Sequence, residues 1–192
     1  MQDLNIRNVE LADIPAITAI YREAVLYGTA SFELDPPDEA EMRARMHAIT
    51  DGGFPYVVAI DAKGNLAGYA YASSFRTRPA YRWTCENSVY VDPKMQGAGT
   101  GKLLMKTVID RCAELGFRQM VSVIGGAEHL ASIRLHESLG FVHVGRLPAS
   151  GFKHGRWLDS VLMQLALGDG GQTEPDPNSY PGTIYKAPNA PK

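Results

Sequence analysis

The chain has little of most things that would identify a function at once. It carries two cysteines in 192 residues, Cys85 and Cys112, too far apart to form a Cys-x-x-Cys metal or redox motif. Both fall in apolar periodic segments and are expected to be buried free thiols in a reducing cytoplasm. Neither charge is in excess: 19 Lys and Arg stand against 21 Asp and Glu, a net of −2. Without a basic field, nucleic acid is an unpromising partner, and any anion must be gripped locally. No apolar run approaches bilayer length, and residues 1–7 lack the apolar centre of a secretory signal. There is no internal repeat, and no metal is implied. The expectation is a soluble cytoplasmic protein whose length suits one domain with a core large enough to fold alone.

What the chain does have is Gln96-Gly97-Ala98-Gly99-Thr100-Gly101, set between a β-rich run, Glu86 to Val91, and a helical pattern starting near Lys102. Glycines in a strand-to-helix turn allow positive φ and close approach of a ligand to the backbone. The first amides of the following helix have no intrahelical partners and lie at the positive end of its dipole. Together they make a phosphate cradle. A Walker loop would need glycine where Gln96 stands and Ser or Thr where Leu103 stands. A dinucleotide fingerprint would need glycine at Lys102 and normally follows the first strand of its unit, whereas this loop arrives mid-chain.

Periodicity arranges the rest. Ile6 to Val9 reads as a first strand. Asp13 is placed to cap a helix with Pro15 in its first turn and Ile14, Ile17, Tyr21, Ala24 and Val25 on one face. Asp38 opens a second helix, striped by Met42, Met46 and Ile49 and ended by Gly52-Gly53. Tyr56 to Ile60 and Leu66 to Ser74 are strands joined by the turn Asp61 to Asn65. Trp83 to Val91 is the next strand. After the glycine loop, Leu103, Leu104, Thr107, Val108, Cys112 and Leu115 line a helix ended by Gly116. Gln119 to Ile124 (strand), Ser132 to Leu139 (helix), Phe141 to Gly145 (strand) and Trp157 to Leu165 (strand) complete the domain. An antiparallel meander followed by alternating strands and helices is an α+β layer arrangement. We expect the domain to occupy residues 1–167. In residues 168–192 glycine and proline punctuate a stretch with no period: either a flexible tail or, through Tyr180, Ile184 and Tyr185, a segment packing on its own or a partner subunit.

Gln96-x-x-Gly99-x-Gly101 after a strand resembles the Gln/Arg-x-x-Gly-x-Gly/Ala loop of the GCN5-related N-acetyltransferases (GNATs). With Glu86 to Val91, Ala131 to Phe141 and Gly151-Phe152-Lys153-His154-Gly155-Arg156-Trp157, in this order, the chain is similar over about residues 4–167 to the phosphinothricin and methionine sulfoximine acetyltransferase branch. The resemblance implies the GNAT fold, a mixed central sheet splayed at the acetyl-CoA site with flanking helices, and a homodimer. It implies acetyl-CoA as cosubstrate and the α-amine of phosphinothricin, methionine sulfoximine or methionine sulfone as acceptor.

Acetyl transfer to an amine requires a base to free the nitrogen from its proton, a donor for the oxygen that becomes negative and a leaving thiolate. Glu86 is the candidate base. On a strand it shares a face with Ser88 and Tyr90, opposite Cys85, Asn87 and Val89, and burial would raise its pKa to a useful value. A structural carboxylate paired with Arg76, Arg78 or Lys153 is the bland alternative. His136 stands where much of the superfamily carries Tyr. It is either an acid–base group or a packing residue between Leu135 and Leu139. By the resemblance, backbone at Val89, Tyr90 and Val91 pairs with the pantetheine arm, and the Val91 N–H polarises the thioester carbonyl. Gln96, Gly97, Ala98, Gly99, Thr100 and Gly101 hold the pyrophosphate. His129 replaces an Asn that contacts pantetheine in many relatives, and Ser132 caps its helix, touches the coenzyme, or both. Phe32 resembles a pocket-wall position. Arg76, Arg78 and Tyr81 are placed to grip an acceptor carboxylate. By the resemblance, Lys153 and His154 belong to a loop that reaches the dimer interface and completes the neighbouring pocket, which makes Lys153 a candidate substrate-binding residue. No serine or cysteine is expected beside a base as a nucleophile, so transfer is expected to be direct, within a ternary complex. The rival readings are a GNAT acting on another amine or a protein N-terminus, and a non-catalytic acyl-CoA sensor.

Overall fold

The computed structural model describes residues 4–184. Its strands are β1 (Asn5–Asn8), β2 (Tyr56–Ile60), β3 (Leu66–Ser74), β4 (Thr84–Val91), β5 (Gln119–Gly125), β6 (Val142–Lys153) and β7 (Arg156–Ala166). Its helices are α1 (Ile14–Tyr27), α2 (Glu39–Asp51), α3 (Thr100–Leu115), α4 (Leu130–Glu137) and α5 (Tyr180–Ile184). The strands form one open sheet in the order β1-β2-β3-β4-β5-β7-β6. Every pairing is antiparallel except β4 with β5.

Alternation along β2, β3 and β4 sorts side chains into two cores. On one face Tyr56, Val58 and Tyr69 pack with Ile14, Ile17, Tyr21 and Val25 of α1 and Met42 and Met46 of α2. On the other, Val57, Ala70, Cys85 and Met120 pack with Leu104, Met105, Val108 and Cys112 of α3 and Ile133 of α4. Cys85 and Cys112 are free and buried.

Asp38 caps α2 as expected, accepting from the Glu41 amide at 2.9 Å. Asp13 does not cap α1 with its side chain. It accepts instead from both terminal nitrogens of Arg7, at 2.7 Å each, and from the Glu10 amide. Ser132 is not the cap of α4 either: that helix starts earlier and His129 occupies the cap position.

The largest difference from the sequence-based expectation is β6, which runs to Lys153 rather than stopping near Gly145. Gly145, Pro148 and Gly151 read as breakers, but they sit on an edge strand, where a missing N–H is tolerated. The register shifts between His143 and Gly145 and between Leu147 and Gly151, so the strand bulges and continues.

The chain after β7 folds back onto the domain. The Arg118 Nε donates to the Gly170 carbonyl at 2.8 Å. Tyr180 meets Phe54 and Phe117 edge-on, with centroids 5.9 Å from each, and Pro181 is buried. These contacts lie at the C-terminal end of α3, opposite the glycine loop. Tyr185 lies outside the described residues.

Candidate active site

The site begins where two strands part. β4 and β5 pair in parallel only over Thr84–Gln119, Cys85–Met120 and Glu86–Val121. Beyond Glu86, β4 continues beside β3 as far as Val91, while β5 follows β7 to Gly125. The wedge between them leaves one edge of β4 unpaired. The Asp92 amide donates to the carbonyl of Ala67 in β3 at 2.9 Å. By the alternation of an antiparallel ladder, the Val91 and Val89 amides therefore face the wedge. The Val91 carbonyl points the same way, accepting from the Gln96 side-chain amide at 3.4 Å.

The glycine loop closes the wide end of this wedge. Gly97 and Gly99 have φ of 76° and 88°, a region that L side chains enter only with strain, and Gly99 is the cap of α3. Thr100 turns inward and donates to the Met95 carbonyl at 3.2 Å, leaving the first amides of α3 to a ligand. Gly97, Gly99, Thr100 and Gly101 line a cleft of about 600 Å³ together with Gln96, Val89, Tyr90, Val91, His129, Ser132 and Leu135. Ala98 is an exposed member of the same loop. At the cleft mouth Arg156 and Glu128 form an ion pair at 2.5 Å, a feature the sequence did not reveal.

A second cavity, about 300 Å³, opens at the narrow end and is lined by Glu86, Ser88, Phe32, Ser122 and His136. It shares Ala30, Val89, Tyr90, His129 and Ser132 with the larger cleft, so the two are continuous. Glu86 is half-buried beside a floor of tyrosines in which Tyr69 stacks on Tyr90 at 5.2 Å and on Tyr56 at 5.9 Å. Burial raises the Glu86 carboxyl above the ordinary carboxylate value, and the positive charge of Arg76 pulls it back.

His136 is 1% exposed. Its Nδ1 lies 2.8 Å from the Ser132 carbonyl and so carries the proton. Nε2 then accepts from the Ser122 hydroxyl and the Asn87 amide, both at 3.0 Å. Burial lowers the His136 pKa; the Ser132 carbonyl opposes this and nearby His129 adds to it. The imidazole is therefore neutral, with its lone pair engaged. This corrects one expectation: a serine does stand beside a base, although Ser122 is 2% exposed and is held at the cavity wall. Neither Asn87 nor Ser122 was marked by the sequence. Asn87 Oδ1 and His129 Nδ1 are buried without partners among the described residues, and burial also lowers the His129 pKa. Orphaned polar atoms beside the shared lining are what a ligand with amide and hydroxyl groups would satisfy.

The remaining candidates are dispersed. Phe32 lines the smaller cavity. Arg76 stacks over Phe75 and Tyr81, 5.1 and 5.7 Å from their centroids. Arg78 and Tyr81 are exposed around the short 3₁₀ turn Pro79–Tyr81. Lys153 is buried against its own chain, donating to the Ser31 carbonyl at 2.6 Å. Among the described residues there is no group of three or more His, Cys, Asp or Glu side chains able to hold a metal, and no helix long and apolar enough to cross a membrane.

A splayed sheet, a glycine cradle at a helix start and a carboxylate at the fork define an acyl-CoA transferase architecture, and comparison with known proteins agrees. The sequence pattern of the acetyltransferase (GNAT) domain matches residues 6–162. The chain belongs to this family and is an N-acetyltransferase. It is 49% identical over 171 residues, 89% of this chain and 86% of the relative, to a phosphinothricin N-acetyltransferase of Alcaligenes faecalis. It is 41% identical over 163 residues, 85% of this chain and 94% of the relative, to an L-methionine sulfoximine/L-methionine sulfone acetyltransferase of Pseudomonas paraeruginosa. Among solved structures it superposes on a phosphinothricin acetyltransferase from Sinorhizobium meliloti in complex with acetyl-CoA. The TM-score there is 0.93 at 52% identity, covering 96% of this chain and 99% of that one.

Proposed function

We propose that the protein acetylates the α-amine of a small amino-acid analogue, with phosphinothricin, methionine sulfoximine and methionine sulfone as acceptors. Acetyl-CoA is the acetyl donor: its pyrophosphate meets the amides of Gly97, Gly99 and Gly101, and its pantetheine arm lies along the free edge of β4. The fork at Glu86 is the observation that carries this reading. There a carboxylate of raised pKa stands where the larger cleft narrows into a cavity of about 300 Å³.

In the reaction, Glu86 takes a proton from the acceptor's ammonium, directly or through water, and the freed lone pair attacks the thioester carbonyl. The Val89 amide, which faces the wedge where cleft and cavity join, holds the oxygen as it becomes negative. Val91, about 16 Å along the strand from Glu86, is too far from the fork for the role the resemblance implied and is left to the pantetheine arm. The C–N bond forms, the C–S bond breaks, and the second proton shed by the nitrogen passes to the departing thiolate to give the free coenzyme thiol. A coenzyme thiol with a pKa near the cysteine value of about 8.5 departs without needing a strong acid. We assign His136 to organising the cavity wall through Asn87 and Ser122, since its neutral ring has no proton to give from Nε2. Ser122 is only 2% exposed, and this burial, rather than its bond to the ring, favours direct transfer over an acyl-serine. Arg76 supplies positive charge toward the acceptor carboxylate, with Arg78 and Tyr81 behind it.

The protein is further proposed to be cytoplasmic and a homodimer. β6 is an edge strand presenting exposed Val142, Val144, Leu147 and Phe152, with Trp157 beside it on β7, an apolar surface of the kind a second copy covers. We take residues 4–167 as the catalytic domain, with the segment 168–184 strapped to its far end.

A panel of amines assayed for free thiol release tests the reading. Methionine sulfone and phosphinothricin should release thiol from acetyl-CoA, and polyamines should not. Failure of the purified protein to bind acetyl-CoA in calorimetry would overturn it.

A further inference from the structure

The segment from Gly28 to Asp38 joins α1 to α2 without helix or strand for most of its length, yet it contributes Ala30, Ser31 and Phe32 to the smaller cavity. Such a segment is mobile unless it is tied. It is tied from β5, β6 and the turn that follows β6. The Lys153 ammonium donates to the Ser31 carbonyl at 2.6 Å, and His154 Nε2 lies 3.1 Å from the Gly28 carbonyl. Tyr21 and Ser31 share a hydroxyl bond of 2.9 Å beneath. Phe32 is seated between two glycines. A Cβ on Gly151 would fall 2.4 Å from its ring, and one on Gly125 would fall 2.7 Å from the ring and 2.2 Å from the Thr29 carbonyl.

Lys153 is the unusual member. It is 4% exposed, and among the described residues its ammonium has no carboxylate within ion-pair distance. Burial lowers its pKa, and the charge of Glu33 partly restores it. A buried ammonium is costly, and here it is spent on one backbone carbonyl of a cavity-lining loop.

We propose that Lys153 is a positioning residue for acceptor selection: with Gly125 and Gly151 it fixes Ser31 and Phe32, so that Phe32 forms the end wall of the acceptor cavity and limits the amine admitted. This rests on the acetyltransferase reading of that cavity. Lys153 acts through the loop and does not touch the acceptor.

The test compares wild type with K153M, G151A and F32A. The acceptors are methionine sulfone, the matching amine without its carboxylate (3-(methylsulfonyl)propylamine) and tryptophan. Hydrogen exchange is followed over residues 28–35. Loss of a charged hydrogen bond should raise the acceptor KM of K153M about tenfold. The rise should be equal for the two sulfones, with the acetyl-CoA KM within about twofold of wild type and exchange accelerated over residues 28–35. G151A and F32A should improve tryptophan relative to methionine sulfone, as should K153M. A KM penalty confined to the carboxylate-bearing sulfone would show Lys153 gripping the acceptor directly and would overturn the proposal, as would unaltered loop exchange in K153M. If wild type turned over no amine, the functional reading would fall. Acceptor selection would fall with it, and exchange would then report only whether Lys153 ties the loop.

Discussion

The coenzyme cleft and the acceptor cavity share walls, but they are made of different material. On the proposed reading the cleft recognises with backbone: loop amides, the start of α3 and the free edge of β4. Its side chains matter chiefly through the conformations they allow. The cavity, on the same reading, would recognise with the side chains that line it, Glu86, Asn87, Ser122, His136 and Phe32, whose charge and direction are set by neighbours. Substitutions should therefore sort by region. In the cavity, removing one functional group should cost chemistry. In the cleft, only changes to backbone conformation should cost affinity.

Glu86→Gln should break the cavity most severely. A general base contributes about 10²–10⁴ in rate, so turnover should fall within that range while acetyl-CoA binding, read by calorimetry, stays near wild type. The same variant should not be destabilised at neutral pH. A carboxyl whose folded pKa is raised holds its proton more tightly in the folded state, so its contribution to stability is lost as pH rises through that value. Above it, Gln should be neutral or stabilising in thermal melts. In wild type, kcat/KM should rise with pH along a limb lying above the ordinary carboxylate range, and the limb should vanish in the variant. Loss of coenzyme binding together with turnover would instead make Glu86 structural.

Gly99→Ala probes the cleft. Nothing lies within 4 Å of a Cβ placed there, so no clash confuses the result. The φ of 88° remains, and an L residue in the left-handed region costs roughly 1–2 kcal/mol. The acetyl-CoA Kd should rise about tenfold, with kcat at saturation nearly unchanged. A fall in kcat at saturating coenzyme would show that the loop shapes chemistry as well as binding.

The same contrast governs what could be read in advance. The loop was legible because Gly97, Gly99 and Gly101 are the direct sequence signature of a backbone need, and the sheet because alternation records which face is buried. Glu86 stood out as a carboxylate in an apolar strand. Asn87 and Ser122 did not: a buried Asn or Ser is unremarkable until folding brings α4 over the fork and aims His136 at both. Lys153 was visible as a charge, but the Ser31 carbonyl it meets lies far away in the chain. Edge position, the property that let β6 pass through Gly145, Pro148 and Gly151, is not written locally at all.

His136 should give a smaller, pH-dependent effect. Its folded pKa is lowered chiefly by burial, so protonation favours the unfolded chain. Stability should fall as pH drops below the ordinary value of 6.5 and level off below the folded value. His136→Gln should flatten that decline in urea melts between about pH 7.5 and 5, with the residue left by His129, which is shifted in the same direction. An identical slope in wild type and variant would mean that the ring takes up its proton equally in the folded and unfolded chain, and the lowered-pKa assignment would be wrong.

Val91→Ala should do least. Val91 lies at the wide end of the wedge, where its backbone is assigned to the pantetheine arm, which makes it a strict test of backbone recognition. Its amide faces the wedge by ladder alternation, and alanine keeps that amide. What is lost is part of a half-buried side chain, about 1 kcal/mol of packing at most, lowering the melting temperature slightly. The acetyl-CoA KM and kcat should both stay within about threefold, against the large loss expected at Glu86 five residues earlier on the same strand. A collapse of kcat in Val91→Ala would place the Val91 side chain in the chemistry, and the division between a backbone-built cleft and a side-chain-built cavity would fail inside the cleft itself.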